Sequence, residues 1–276
     1  MKRSLESIEL DLIVEGIYEE YGHDFRNYTK ASLRRRFLRM AQDTGHRNIG
    51  ELIPAVLRDR GLWERVLAHI PVTVTEFFRD PVSFRVLREE VFPVLRTYPL
   101  LRIWSAGCAT GEEVVSLAIL LQEAGLLERT RLFGTDLSRS SIQYARRGVY
   151  ELADLEESQE RYRDAGGTGE LLDYFMTGNE NAKLKNSLLK QITFANHNLV
   201  LDASFGEVHL VVCQNVFIYF NRTLQEHVLD LFADSLVRGG WLLLGEKERV
   251  DLDSKQEPFT KVEVEAMLYR LDRRGA

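Results

Sequence analysis

The chain holds, within one short stretch, residue types that can grip a nucleoside with a charged tail. Gly107-Cys108-Ala109-Thr110-Gly111-Glu112-Glu113 follows the apolar run Ile103-Trp104-Ser105-Ala106, and a second apolar run ends in Thr135-Asp136. A strand running into a glycine turn, a helix, and a second strand closed by an acid is how an open parallel sheet holds a nucleotide-like ligand at its carboxyl edge. The glycines let the backbone come close to the ligand. Asp136, 25 residues after Gly111, can accept from both ribose hydroxyls.

The acids at 112 and 113 narrow the choice. A pyrophosphate at this helix start is repelled by two carboxylates, and the spacing is GxxxG, not the GxGxxG of a dinucleotide fingerprint. A ligand with an ammonium and a sulfonium meets neither objection, so the loop favours S-adenosylmethionine over NAD. Thr110 and Glu113 match a capping box, with Thr110 as N-cap and Glu113 reaching back to the backbone, which leaves Glu112 the freer carboxylate. Two further strand ends carry amides: Asn198, followed by Leu199, and Asn215, followed by Val216. An amide suits an adenine edge or a ribose hydroxyl, although a strand-end Asn taken singly is more often a turn former.

These residues need elements to position them. Leu10, Ile13, Val14 and Ile17 form one helical stripe and Leu33, Phe37 and Met40 another, with Asn48 and Gly50 opening a helix over Leu52 to Val66. From Arg102 onward, strand-like runs at 101–106, 131–135, 191–196, 208–213, 240–245 and 266–271 alternate with helical stretches. That alternation predicts an α/β fold, a small all-helical N-terminal domain (1–72, with a linker to about 85) followed by a doubly wound parallel sheet domain (86–276). The weakly patterned stretch at about 151–193 reads as an insert.

Composition removes whole classes of function. A net charge of −6 over 276 residues argues against nucleic acid as the main partner. No apolar run approaches the ~20 residues that span a bilayer, and the first ten residues are too charged for a secretory signal. Cys108 and Cys213 form neither a disulfide framework nor a metal-ligand spacing, and the six histidines show no ligand spacing either. A reduced cytoplasmic protein with no metal is the expectation.

Four segments then carry a resemblance. Val74-Thr75-Glu76-Phe77-Phe78-Arg79-Asp80, Trp104 to Glu113, His197-Asn198-Leu199 and Asn215-Val216-Phe217-Ile218-Tyr219-Phe220 occur in the order seen in the CheR family, the S-adenosylmethionine-dependent methyltransferases of chemotaxis receptors. The resemblance runs to about residue 247. It implies a class I methyltransferase domain with a small antiparallel β insert. It also implies a cofactor shell of Thr73, Thr75, Arg79, Gly107, Glu112, Glu113, Asp136, Asn198, Leu199, Asn215 and Val216, with Arg79 and Tyr219 at the reacting centre. Thr73 stands where many relatives have Asn, and Gly245-Glu246-Lys247-Glu248 where they commonly have Gly-His-Ser-Glu.

The implied reaction esterifies receptor glutamates, giving methyl esters. A carboxylate with an ordinary pKa of about 4.3 is already an anion at neutral pH, so no general base is needed. Lys30, Arg34, Arg35, Arg36 and Arg39 form a basic run whose counterpart in the family faces the receptor's cytoplasmic helices. Some relatives also add a receptor C-terminal pentapeptide to the edge of their insert. Here Tyr174 to Thr193 holds only Gly178 as a glycine, and the run after it is compact, so no such tether is expected. The protein is expected to act as a monomer. A module that merely senses S-adenosylmethionine or its product, or a relative acting on a non-receptor protein, is the alternative, and turnover on an acidic helical protein separates them.

Overall fold

The computed structural model describes residues 3–69, 75–248, 258–262 and 264–272. The chain divides into two compact units, Met1–Thr73 with Ile218–Val228, and Val74–Phe217 with Leu229–Ala276.

The first unit is helical: α1 (Leu5–Tyr21), α2 (Lys30–Asp43), α3 (Ile49–Arg58) and α4 (Arg60–His69). Ser4 caps α1 by accepting from the Ser7 N–H, and Gly22 closes it in the left-handed region at φ 71°. The stripe Leu10, Ile13, Val14 and Ile17 is buried, as are Leu33, Phe37 and Met40 of α2 and Ile49, Leu52 and Val56 of α3. Asn48 opens α3 by accepting from Glu51 N. The single helix expected over Leu52 to Val66 is two: α3 stops at Arg58, and Asp59 accepts from Leu62 N in the first turn of α4. A late segment completes this unit. Thr29 N donates to Tyr219 O at 2.8 Å, Asn221 N to Asn27 O at 2.9 Å, and Tyr28 bridges Phe220. The helical unit therefore takes in Ile218–Val228, which the boundary at residue 72 did not foresee.

In the second unit α5 (Pro81–Val86), a π-helical turn at Leu87–Val91 and α6 (Phe92–Leu95) lead into β1 (Leu101–Ala106). Then come α7 (Glu112–Glu123), β2 (Thr130–Asp136), α8 (Arg139–Arg147), β3 (Val149–Glu151), α9 (Leu152–Asp164), β4 (Phe175–Thr177) and β5 (Asn181–Leu184). The chain continues through α10 (Asn186–Leu189), β6 (Ile192–Asn196), β7 (Val208–Cys213), α11 (Arg222–Ser235), β8 (Leu236–Leu244), β9 (Phe259–Lys261) and β10 (Met267–Leu271). The main sheet runs β6-β2-β1-β7-β8-β10-β9. Its first five strands are parallel, and the pairs β8–β10 and β10–β9 are antiparallel.

Strand order reverses at β1. The chain steps outward through β2 to β6, then returns to β7 on the other side of β1, with Ile103 opposite Leu210 and Ser105 opposite Val212. Such a reversal splays the two connections apart at the carboxyl ends and opens a crevice there. The strands beside it are apolar on both faces, and Val114 to Leu121 of α7 are all buried, because layers cover both sides of the sheet.

The insert is a second sheet, β3-β5-β4, antiparallel throughout. It begins at Val149, two residues before the expected start, and contains the 13-residue helix α9. The buried stripe of α9 is Leu155, Ser158 and Tyr162. Two polar-capable residues among three hide it from a count of apolar periodicity.

Candidate functional site

At the strand reversal, Gly107 leaves β1 at φ 83°. A Cβ built there would stand 2.5 Å from Val216 Cγ2, so Val216, just past β7, packs on the bare backbone at 107. Gly107 N and Cys108 N both donate to Thr135 O, which ties the turn to β2. Ala109 and Gly111 also lie at positive φ, 46° and 100°.

The expected capping box does not form. Helix α7 starts at Glu112 with Gly111 as its N-cap, because the left-handed conformation at Gly111 moves the helix start one residue on. Thr110 Oγ1 instead donates to Glu112 Oε2 at 2.6 Å, and Ser105 Oγ on β1 donates to Glu113 Oε1 at 2.7 Å. Glu112 is thus not the freer acid. Desolvation pushes the Glu112 carboxyl up to about 7 and the Glu113 carboxyl up to about 8, with Glu248 adding to the rise at Glu113 and the Arg79 cation opposing it.

Asp136 is buried at the end of β2. Its Oδ2 accepts from Ala109 N at 3.0 Å and its Oδ1 from Ser138 N at 2.7 Å. Burial raises its pKa and these two backbone bonds oppose the rise. A carboxylate has about four acceptor positions, so two remain for hydroxyl donors. The cap of α8 falls to Ser138, which accepts from Ser141 N, leaving Asp136 without a capping duty. Asn198 behaves as a turn former: its Oδ1 accepts from Val200 N, and its carbonyl accepts from Leu201 N and Asp202 N. Leu199 beside it is buried. Asn215 takes φ 62°, a conformation Asn tolerates, and so turns Val216 onto Gly107.

The Thr75–Asp80 segment presents Arg79. Phe77 and Phe78 are buried, Arg79 is exposed, and Phe78 and Asp80 lie at φ 54° and 62°. Phe78 N donates to Ser116 Oγ of α7 at 3.0 Å, and Ser83 Oγ donates to Asp80 Oδ2 at 2.6 Å. Thr75 is half-buried at the start of this segment, and Thr73 lies outside the described residues.

In the helical unit the basic run splits into different environments. Arg34 pairs with Glu6 at 2.8 Å, Lys30 with Asp11 at 2.9 Å and Arg39 with Asp43 at 3.8 Å. Arg35 is exposed and forms no ion pair among the described residues. Arg36 departs from the solvated basic face: it is buried, with its guanidinium carbon 4.4 Å from the ring centre of Tyr219. Position 36 falls on the inner side of α2, next to Phe37, and burial lowers its pKa.

Glu248 escaped the residue-by-residue reading. This buried carboxylate accepts from Phe217 N through Oε1 and from Gly245 N through Oε2, both at 2.7 Å. It therefore holds the turn that carries Asn215 and Val216. An acid three residues after the glycine that ends a strand was the available signal. Among the described residues no group of three His, Cys, Asp or Glu could hold a metal, and no helix is long and apolar enough to cross a membrane.

The residues at the sheet edge fit S-adenosylmethionine. Glu112 and Glu113 can meet an ammonium, Asp136 keeps acceptor positions for a ribose, and Gly107 keeps the turn free of side chain. Comparison with known proteins agrees. Residues 73–268 match the family described as CheR methyltransferase, SAM binding domain, and residues 8–70 match the CheR methyltransferase all-alpha domain. The Cher3 protein of Pseudomonas putida is 42% identical over 263 residues, spanning 95% of this chain and 96% of its own. A chemotaxis protein methyltransferase of Listeria innocua is 29% identical over 85% of this chain and 87% of its own. Chemotaxis protein methyltransferase 1 of Pseudomonas aeruginosa is 30% identical over 78% and 81%. With both domains matched in order around a site that fits the methyl donor, the chain belongs to the CheR family of S-adenosylmethionine-dependent methyltransferases.

Proposed function

We propose that this enzyme methylates glutamate γ-carboxylates on the cytoplasmic helices of methyl-accepting chemotaxis receptors, acting in the cytoplasm as a monomer. The observation that carries the reading is the exposed Arg79, held on a fixed turn whose charge is felt by Glu113 at the sheet edge. The bound cofactor supplies a methyl group on a sulfonium that leaves as a neutral thioether. What the chain must add is placement. Arg79 orients the acceptor carboxylate by charge-assisted hydrogen bonds. Glu112 and Glu113 hold the ammonium end, and Asp136 holds the ribose. Removing water from the carboxylate as the acceptor docks raises its reactivity further.

We propose also that no receptor C-terminal peptide is tethered to the insert. Strands β4 and β5 are joined by only Gly178 to Glu180, with Gly178 N donating to Asn181 O at 2.7 Å, which supports a turn too short for a peptide-binding extension. The test is methyl label transferred from S-adenosylmethionine to receptor-containing membranes. Release of the label as methanol by mild base supports a carboxyl ester, and base-stable label on lysine or arginine rules out glutamate as the acceptor.

A further inference from the structure

The turn that presents Arg79 is strained. Phenylalanine rarely adopts positive φ, and here Phe78 and Asp80 both do, on either side of Arg79. Such a conformation persists only where the surroundings over-determine it. The anchors at and after Phe78 are Ser83 on Asp80, Ser116 of α7 on Phe78 N and the Phe84 ring, which are local or come from the main body, together with the ring of Tyr162, which comes from α9 of the insert. The anchor before the turn comes from the insert. Arg161 of α9 donates from Nε to Phe77 O at 3.1 Å, pairs through Nη1 with Glu76 at 3.5 Å, and is itself oriented by Nη2 on Ser158 Oγ at 2.8 Å. The Phe77 ring meets Tyr150 of β3 and Phe175 of β4 edge-on, so insert strands and insert helix grip the same residue.

We propose that Arg161 is a positioning residue for Arg79, and that through it the insert sets the aim of the carboxylate-orienting cation. A guanidinium suits the task because its planar fork binds a carbonyl, a carboxylate and a hydroxyl from one rigid group. The side chain is 30% exposed, so its loss opens no core cavity; it releases Phe77 O and Glu76. The inference rests on the role of Arg79 proposed above.

The test combines Arg161→Ala, Arg161→Lys, Arg79→Ala and the Arg161→Ala/Arg79→Ala double variant. The first readout is label transfer from S-adenosylmethionine to receptor-containing membranes. Arg161→Ala is expected to slow transfer about ten-fold, since small misplacements of a positioning group are costly. Arg161→Lys keeps the charge facing Glu76 but lacks the fork, and recovers part of the rate. In the Arg79→Ala background, loss of Arg161 should change the rate less than about two-fold, because a residue acting through another has nothing left to position. The second readout needs no acceptor: amide exchange at Phe78 and Arg79 quickens in Arg161→Ala, while α7 amides keep their protection. Unchanged exchange at Phe78, or an equal loss of rate in both backgrounds, overturns the inference alone. Arg79→Ala turning over at the parental rate overturns it together with the proposed role of Arg79.

Discussion

Val216 fills the space that a side chain at Gly107 would need: a Cβ there would lie 2.5 Å from Val216 Cγ2. This contact joins the ends of β1 and β7 at the point where strand order reverses, the place an open sheet offers to a ligand. Gly107→Ala must both hold φ 83° and push Val216 away. The strain amounts to about 1–3 kcal/mol. Urea unfolding should show that loss, and calorimetry should show weaker binding of S-adenosylhomocysteine. A variant with parental stability and affinity would mean that the two strand ends do not constrain the site.

The acid pair predicts a pH dependence with a definite sign. Glu112 at about 7 and Glu113 at about 8 are raised above the ordinary carboxylate value, so the ligand-free folded protein holds protons that the unfolded chain has released. That stabilisation is complete below about pH 4 and is lost as pH rises through about 8, so the urea midpoint of the free protein should fall between pH 6 and 8. An ammonium ligand favours the ionised pair. S-adenosylhomocysteine affinity should therefore rise over the same interval, with proton release on binding near pH 7. Calorimetry in two buffers of different ionisation enthalpy reads the protons directly. Flat affinity with no proton release defeats the assignment of these acids to the ammonium.

Much of this site could be read from residue order, and the reason is physical. Strands buried on both faces, such as Leu101–Ala106 and Val208–Cys213, declare themselves as apolar runs, and their carboxyl ends locate Gly107 and Asn215 without further help. What stayed hidden depended on one torsion or on distant partners. The left-handed Gly111 shifted the helix start and re-paired Glu112 with Thr110 and Glu113 with Ser105, which no local pattern encodes. Arg36 looked like one more charge in a basic run. Only the packing of α2 puts it inward on Tyr219, a residue 183 positions later. Helix α9 escaped because a serine and a tyrosine stand in its buried stripe.

The altered basic face changes which arginine matters for docking. Arg34 and Lys30 are already paired with Glu6 and Asp11, whereas Arg35 is exposed without an ion pair among the described residues. Arg35→Ala should therefore slow receptor methylation at low salt by about three- to ten-fold, and Arg34→Ala by less. S-adenosylhomocysteine affinity should be the same for both. The difference should shrink at high salt, where exposed charges are screened. Equal effects of the two variants at low salt would show that pairing within the helical unit does not decide which charge meets the acceptor.

Glutamine substitution separates the half-buried Glu113 from the buried Glu248 by how their oxygens are used. Ser105 donates to Glu113 Oε1, and a hydroxyl can turn to suit an amide, so Glu113→Gln should fold normally while losing the Glu113 share of the pH response of ligand binding and keeping that of Glu112. Glu248 has no such freedom. Both oxygens accept from fixed backbone donors, Phe217 N and Gly245 N, and an amide would turn one acceptor into a donor facing a donor. Glu248→Gln should therefore destabilise by about 1–3 kcal/mol, as Glu248→Ala should too, since each leaves a buried N–H without a partner. The turn bearing Asn215 and Val216 would loosen with it, and S-adenosylhomocysteine binding would weaken even at temperatures where the variant stays folded. Urea unfolding and calorimetry on the two Gln variants decide the matter. A Glu248→Gln protein as stable and as tight-binding as the parent would show that this carboxylate does not hold the turn.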